Sequence, residues 1–198
     1  MTSTLENDAL FAQRLAVRLS ADPTCGAIAV GSVVAAFHRL IQARGLDEVM
    51  IDVADYSHVP DGPGIVLVCH GANYSLTLRG QRPGLLYQRK RPNEGDFAAR
   101  LDRAVRATVR AARALQDDPE LRGKLRFVET EIEVGANDRL LAPCTAETLT
   151  ELRPALTTVA ERLWPGGVEL DFQADARAAF RVRLKRGARP ITEIPCKP

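Results

Sequence analysis

The chain has 198 residues, of which 45% are hydrophobic and 26% are charged, and its formal net charge is +2 at pH 7. This composition is typical of a globular protein and excludes the disordered and fibrous classes. The opening MTSTLENDAL lacks the basic start and apolar stretch of a secretory signal, and no apolar run approaches the roughly 20 residues that cross a bilayer. We therefore expect a cytoplasmic protein without a membrane partner.

The first part of the chain is predicted to be helical. Residues 7–19 carry apolar side chains at helical spacing. A second helix is expected to begin with Asp22 as its N-cap and to run to Arg44, because Gly45 favours a C-terminal stop. The two segments together predict an N-terminal helical pair over residues 7–44.

From residue 48 the pattern changes to short runs rich in Val, Ile, Leu and Tyr, bounded by Gly, Pro, Asn and Asp. Such runs are typical of strands. The connections between the last three are too short for parallel crossovers, so an antiparallel meander is expected. The predicted strands are 49–54, 64–69, 74–78 and 84–89.

A long helix is predicted over residues 93–115, because Asn93 is a suitable N-cap and apolar side chains recur along one face. A strand is expected at 125–134. The short segment 139–143 is expected to pair back onto it after a turn.

The last part of the chain predicts one more helix and a hairpin. The helix is expected over residues 145–163, and Pro154 should kink or divide it because proline lacks a backbone donor. The hairpin pairs 168–172 with 180–185, where apolar and basic side chains alternate.

This order of elements predicts an α+β fold, in which an antiparallel or mixed sheet is covered on one face by helices. Residues 1–187 are expected to form a single domain, with the sheet and its helices in 48–187. Residues 188–198 hold three prolines and are expected to be an extended tail.

The small net charge hides a local excess of positive charge. Residues 79–113 carry ten basic and three acidic side chains. Five arginines recur at spacings of three or four in the long helix, which places them on one side, opposite the apolar stripe. With the basic run that ends the preceding strand, they form the predicted binding surface: Arg89, Lys90, Arg91, Arg100, Arg103, Arg106, Arg110 and Arg113.

Two interpretations of this surface stay open. A surface helix needs a solvated face and arginine is a good helix former, so the stripe can serve solubility alone. Guanidinium groups also bind carboxylates and phosphates, which favours an acidic protein or another anionic partner. Nucleic acid is the less favoured partner, because no RNA-binding or DNA-binding module frames the basic residues.

A second candidate site combines imidazole, carboxylate and phenol groups between residues 52 and 87. Its candidate catalytic residues are His58, His70, Asp55 and Tyr74, with histidine as the general base. No complete catalytic motif occurs, so the sequence leaves open whether the chain is an enzyme, and no motif names a cofactor.

The same segment carries groups that can bind a metal ion. Two histidines and a carboxylate can bind iron or zinc, and the residues that would do so are His58, His70 and Asp52. No HxH, HxxxH or HxD spacing presets that geometry, so we predict no metal site. The four cysteines are far apart without a CxxC pair, and Cys69 is expected to be a buried apolar thiol.

The leading hypothesis is a noncatalytic cytosolic binding protein that engages an acidic partner through the basic helix and the adjacent strand end. The alternative is a small enzyme, with or without a metal, whose His/Asp/Tyr pocket is built from residues 52–87. The edge strand of the final hairpin leaves a homodimer open without requiring one.

Overall fold

The structure of the chain is a computed structural model that describes residues 13–80 and 82–186. It contains three helices, α1 (Val30–Ala43), α2 (Phe97–Asp117) and α3 (Ala146–Leu163). The strands are β1 (Leu15–Ser20), β2 (Met50–Tyr56), β3 (Gly64–Cys69), β4 (Ala72–Thr77), β5 (Gly84–Arg89), β6 (Glu131–Ala136), β7 (Pro143–Cys144), β8 (Glu169–Asp171), β9 (Asp175–Ala179) and β10 (Arg181–Lys185).

Eight strands form one sheet in the order β2-β3-β4-β5-β1-β6-β10-β8, and every neighbouring pair is antiparallel. Strands β7 and β9 form a separate pair. The helices pack against one side of the large sheet, where their apolar side chains and those of the strands form one connected core. The predicted α+β fold with an antiparallel sheet is therefore confirmed.

The predicted N-terminal helical pair is wrong, because residues 15–20 form a strand. Leu15, Val17 and Leu19 are buried, while the residues between them are half-buried. Leu15 and Leu19 are four positions apart, a spacing that fits a helix as well as a strand, whereas Val17 fits only the strand. Residues 7–12 of the predicted helix lie outside the described residues, as does the predicted tail.

The second helix begins later than predicted. The Asp22 carboxylate accepts hydrogen bonds from the backbone N–H and the hydroxyl of Thr24, at 2.8 and 2.6 Å, and so holds a turn rather than a helix. The N-cap is Ala29, whose side chain cannot cap. The helix ends in a left-handed residue, but this residue is Arg44 rather than Gly45.

Three other predictions need correction. The strand predicted from residue 125 begins at Glu131, and Phe127 forms only an isolated bridge with Ala21. Strand β7 pairs with β9 rather than back onto β6. Pro154 lies exposed within an undivided α3, because its missing donor is lost on the solvent side of the helix.

Strands β1 and β6 lie side by side in the middle of the sheet, and each starts a unit of strand, helix and two strands. The first unit is β1-α1-β2-β3 and the second is β6-α3-β8-β10, within which the separate pair β7 and β9 is interspersed. The two units extend from the central pair in opposite directions. Only the first has an inserted hairpin, β4-β5, between its outer strands and β1.

The loop before β5 enters the sheet at Gly84, where a side chain cannot fit. Its φ is +151°, and a Cβ atom here would lie 2.2 Å from the backbone oxygen of Leu19. We expect Gly84→Ala to lower the free energy of unfolding by about 2 kcal/mol or more, because the β1-β5 pairing must shift. Urea unfolding followed by circular dichroism measures this change.

The control is Gly31→Ala, at an exposed position of α1 with no atom near the new methyl group. It should raise stability by about 0.5–1 kcal/mol. A Gly84→Ala protein as stable as the wild type would contradict the expected clash.

A paired carboxylate joins α1 to the turn after α2. Asp118 is buried and accepts hydrogen bonds from Nε and Nη2 of Arg39 at 2.7 and 2.8 Å. Burial by itself raises the pKa of Asp118, but the bonds from Arg39 and from backbone N–H groups outweigh it and lower the pKa below its ordinary value.

A carboxylate with a lowered folded pKa stabilises the protein above its unfolded pKa, about 3.9, and this contribution disappears as the pH falls through the folded value. We therefore expect Asp118→Asn to reduce stability at pH 7, with a deficit that shrinks below about pH 4. Thermal unfolding across this pH range tests it. Asp171→Asn, which breaks an exposed pair with Lys185, should change stability much less. A deficit for Asp118→Asn that is constant with pH would contradict the role of its charge.

Candidate functional site

The arginines predicted to form one exposed ridge on α2 do not all face solvent. Arg100 is only 2% exposed, and its Nη1 donates to the carbonyl of Gly95 at 2.5 Å. Arg113 is half-buried. The prediction that five guanidinium groups project outward as a single ridge is therefore wrong. The Arg100 side chain is instead buried and bonds to the backbone just before the helix.

The remaining ridge arginines have partners within the chain. Arg106 pairs with Asp102 one turn earlier at 2.7 Å. Arg110 pairs with Asp47, in the loop after α1, at 2.5 Å. Arg103 donates to the carbonyl of Glu94. The two ion pairs neutralise part of the positive charge that the sequence assigns to this face.

The basic run at the end of β5 is also engaged. Arg89 forms an ion pair with Glu48 at 2.7 Å, and both side chains are mostly buried. The Lys90 ammonium donates to the carbonyl of Cys69 at 2.5 Å. Arg91 is exposed, and its carbonyl accepts a hydrogen bond from Nε of Arg89. These residues tie together the ends of neighbouring strands.

The structure does not bring the two candidate histidines together. His58 lies in the β2-β3 loop and His70 in the β3-β4 turn, at opposite ends of β3. Six residues of extended strand separate these ends by roughly 20 Å. Both side chains are exposed.

The other members of that predicted pocket are also dispersed. Tyr74 is buried in the core, where its ring meets Tyr87 edge-on with centroids 5.2 Å apart. Burial raises the pKa of both phenols. The Asp55 carboxylate accepts a hydrogen bond from the backbone N–H of Ser57, and Asp52 is exposed on β2. His58, one of the four candidate catalytic residues, lines a cavity beneath the β2-β3 loop.

Two further features bear on catalysis. Cys69 is fully buried, as predicted, and burial raises the pKa of its thiol to about 12, so it is poorly suited to act as a nucleophile. Within residues 13–80 and 82–186, no three His, Cys, Asp or Glu side chains are arranged so that they could hold a metal ion.

A cluster of charged side chains lines cavities away from both predicted sites. It lies on the sheet face that no helix of the described residues covers. We call this side the open face. The strand register sets a row of alternating charges across it: Arg18 of β1 lies opposite Glu133 of β6, and Glu133 lies opposite Arg183 of β10. Arg183 in turn lies opposite Asp171 of β8.

Arginine side chains from several elements approach the carboxylate of Glu133. Nη2 of Arg82, from the β4-β5 loop, contacts both of its oxygens. Nε of Arg181 lies 3.3 Å from one of them. With Arg18 on the flanking strand β1, a single carboxylate is surrounded by three guanidinium groups, while Arg183 lies 3.9 Å from Asp171. Positive charge is therefore in excess at this point of the open face.

Arg18 is held in the middle of this excess. Its Nη1 donates to the carbonyl of Arg82 at 2.8 Å, while its Nε is buried and has no hydrogen-bond partner among the described residues. Burial lowers the pKa of Arg18, as do the cations Arg82 and Arg181, and only Glu133 opposes the shift. A further acceptor near Arg18 would relieve both the missing hydrogen bond and the repulsion.

Arg79 and Asp61 complete the site from two loops. Arg79 is exposed and makes no hydrogen bond or ion pair with any other described residue. Asp61 occupies a left-handed conformation with φ of 52° in the β2-β3 loop, and its carboxylate lies beside Gly80 of the β4-β5 loop. We define the arginine groove as the set of four cations and two carboxylates formed by Arg18, Arg79, Arg82, Arg181, Glu133 and Asp61.

Three neighbouring cavities, which share lining residues, lie along these residues. One of about 300 Å³ is bounded by Arg18, Arg79, Arg82 and Asp61. A smaller one of about 90 Å³ shares Arg18 and Arg82 with it and continues past Glu133 to Arg181. A larger chamber of about 450 Å³ shares Asp61 and Arg79 with the first and extends beneath the β2-β3 loop, past Tyr56 and His58.

Sequence reasoning missed the arginine groove. Its residues come from β1, β6, β10 and two loops, so they are far apart in the chain. The available signal was alternation: the basic residues of β10 alternate with buried Val182 and Leu184, and Arg18 alternates with Val17 and Leu19. Alternation places a side chain on a face, but only the strand order places Arg18 and Arg181 around the same carboxylate.

Comparison of the chain with protein-family models, with curated proteins and with solved structures gave no match. The function therefore has to be inferred from the geometry of the site. Within the described part of the chain, no helix is both long enough and apolar enough to span a bilayer.

Proposed function

We propose that this chain is a noncatalytic binding protein whose ligand carries an acidic group, and that the arginine groove receives this group. The observation that carries the proposal is the excess of four guanidinium groups over two carboxylates around two neighbouring cavities on the open face. A carboxylate or phosphate is the complementary ligand, because guanidinium groups donate several charge-assisted hydrogen bonds to such oxygens.

Two details of the arginine groove support an anionic ligand. The Nε of Arg18 is already buried, so a ligand oxygen that reaches it gains a hydrogen bond without burying a further donor. Arg79 is exposed and has no ion pair with another described residue that would have to break before it binds. Because few existing contacts have to be broken, both features reduce the free-energy cost of binding the ligand.

The basic surface predicted on α2 is the weaker candidate for the same role. Arg106 and Arg110 would have to exchange Asp102 and Asp47 for groups of the partner, and Arg100 is buried. The α2 face is also the outer side of a helix rather than a cavity. An acidic partner protein remains compatible with either surface, and the two can be separated by mutation.

The enzyme alternative has less support than binding. A general base needs a second group to orient it and a place for the reacting atom. His58 lines the chamber, but His70, Tyr74 and Tyr87 lie elsewhere. We therefore favour binding over catalysis.

Binding of inorganic phosphate to the whole chain tests the proposal. The resonances of the arginine Nε–H groups are followed by NMR while phosphate is added at low ionic strength. We expect the Arg18 signal to shift with saturation, and added salt to weaken the binding because the charges are partly exposed. In Arg79→Gln/Arg82→Gln, the affinity should fall about tenfold or more, since charge-assisted hydrogen bonds are lost.

The matched control is Arg103→Gln/Arg110→Gln, which removes the same charge from α2. It should bind phosphate as the wild type does. Loss of binding in the α2 variant with retention in the arginine-groove variant would reject the arginine groove and support the basic helix instead. Absence of any saturable shift in the wild-type chain would reject the proposed function altogether.

A further inference from the structure

The chamber beside the arginine groove differs from it in chemistry. Its volume is about 450 Å³, within the roughly 300–1,000 Å³ that is usual for small-molecule sites. Apolar side chains from separate parts of the chain form much of its wall, namely Ile28, Val30, Ile65, Leu76 and Leu78. Protein interiors are normally close-packed, so a space of this size against apolar side chains can accommodate a ligand.

The covering of the chamber is also apolar and unusually exposed. Tyr56 and Val59, at the end of β2 and in the β2-β3 loop, are 45% and 41% exposed and line the chamber, with Pro60 beside them. Large apolar side chains that cluster around an opening are typical of a binding site. An apolar group in the chamber would cover part of their surface.

The late start of α1 forms one side of the chamber. Residues 25–29 are not helical, and α1 begins only at Val30. Ile28 and Val30 are therefore half-buried, and they line the chamber in addition to packing against the core. A helix that started at Asp22, as the sequence suggested, would not leave the chain in this path.

The chamber and the cavity of the arginine groove share a wall. Residues common to both are Asp61, Gly62, Thr77, Arg79 and Gly80. The Thr77 hydroxyl donates to the carbonyl of Pro63 at 3.0 Å, which fixes the β2-β3 loop to the end of β4. Arg79 thus lies at the boundary between a cationic space and an apolar one.

From this juxtaposition we infer that the ligand is an amphipathic acid, with a carboxylate or phosphate in the arginine groove and an apolar body in the chamber. This inference rests on the proposed function and adds the chemical class of the ligand. The acidic group sets orientation through the guanidinium groups, and the apolar body supplies affinity through burial. A ligand without the apolar body would leave the chamber empty.

A series of straight-chain carboxylates from acetate to decanoate, each below its micelle concentration, tests the inference on the whole chain. Affinity is measured by calorimetry or by the Arg18 Nε–H shift. Each methylene that enters the chamber should tighten binding by up to about fourfold, until the chamber is filled and the gain stops. The Arg79→Gln/Arg82→Gln variant should bind every member more weakly.

A second arm fills the chamber without touching the arginine groove. Ile28→Phe should remove most of the gain from acetate to decanoate and leave phosphate binding unchanged. Val49→Phe, at an exposed position near the opposite end of β2, is the matched control and should keep the whole gain. If Ile28→Phe does not fold, Val59→Asp serves the same purpose, because Val59 is on the exposed β2-β3 loop and its charge would oppose an apolar body.

The outcomes separate this inference from the proposed function. If phosphate binds but decanoate binds no more tightly than acetate, the amphipathic ligand is rejected and the anion site stands. If decanoate binds equally well to the wild type and to the Arg79→Gln/Arg82→Gln variant, the acidic group is not held by the arginine groove and the inference is rejected. If neither phosphate nor any carboxylate binds, the proposed function fails with it.

Discussion

The alternation of side chains along β1, β6 and β10 is the constraint on which the rest of the structure depends. Because successive side chains of a strand point to opposite faces, the apolar set of each strand is committed to the helical side and the remaining residues to the open face. A shift of one residue in any of the three would bury Arg18, Glu133 or Arg183 in the apolar core. The register of the central strands is therefore fixed by hydrophobic burial, and the charged row across the open face follows from it.

The position of the arginine groove is a consequence of sheet order and loop placement. Antiparallel pairing puts the C-terminal ends of β1, β2 and β4 beside the N-terminal ends of β3 and β5. These strand ends all lie at one end of the sheet, across the strand direction. The β2-β3 and β4-β5 loops consequently meet above the charged row, where Asp61 lies beside Gly80. Apolar and cationic surfaces become neighbours because one loop end carries Tyr56 and Val59 and the other carries Arg79 and Arg82. Neither loop would form a cavity by itself.

Much of the fold could be predicted from local pattern, and the failures have a common cause. Strands β3 and β5 were predicted with the observed bounds, and β10 nearly so, because strong alternation or a continuous apolar run is bounded by turn residues. The helix predicted over residues 7–19 includes Leu15 and Leu19, whose spacing satisfies both periodicities. Asp22 resembles an N-cap by residue type, but its carboxylate is used by Thr24 in a turn. In these cases, local chemistry allows two structures and the long-range pairing of β1 with β5 and β6 selects one.

The α+β class, the antiparallel meander and the local excess of arginine could be predicted from the sequence, since they depend on residue type and short-range spacing. Which arginines remain available to a ligand depends on the packing of distant parts of the chain. Arg106 and Arg110 find carboxylates on or near α2, while Arg18, Arg82 and Arg181 share a single one. The tertiary structure also separates His58 from His70 by the length of β3. Charges are neutralised, and pockets are formed, by residues that are close in space. Strand order sets this proximity, and position along the chain does not.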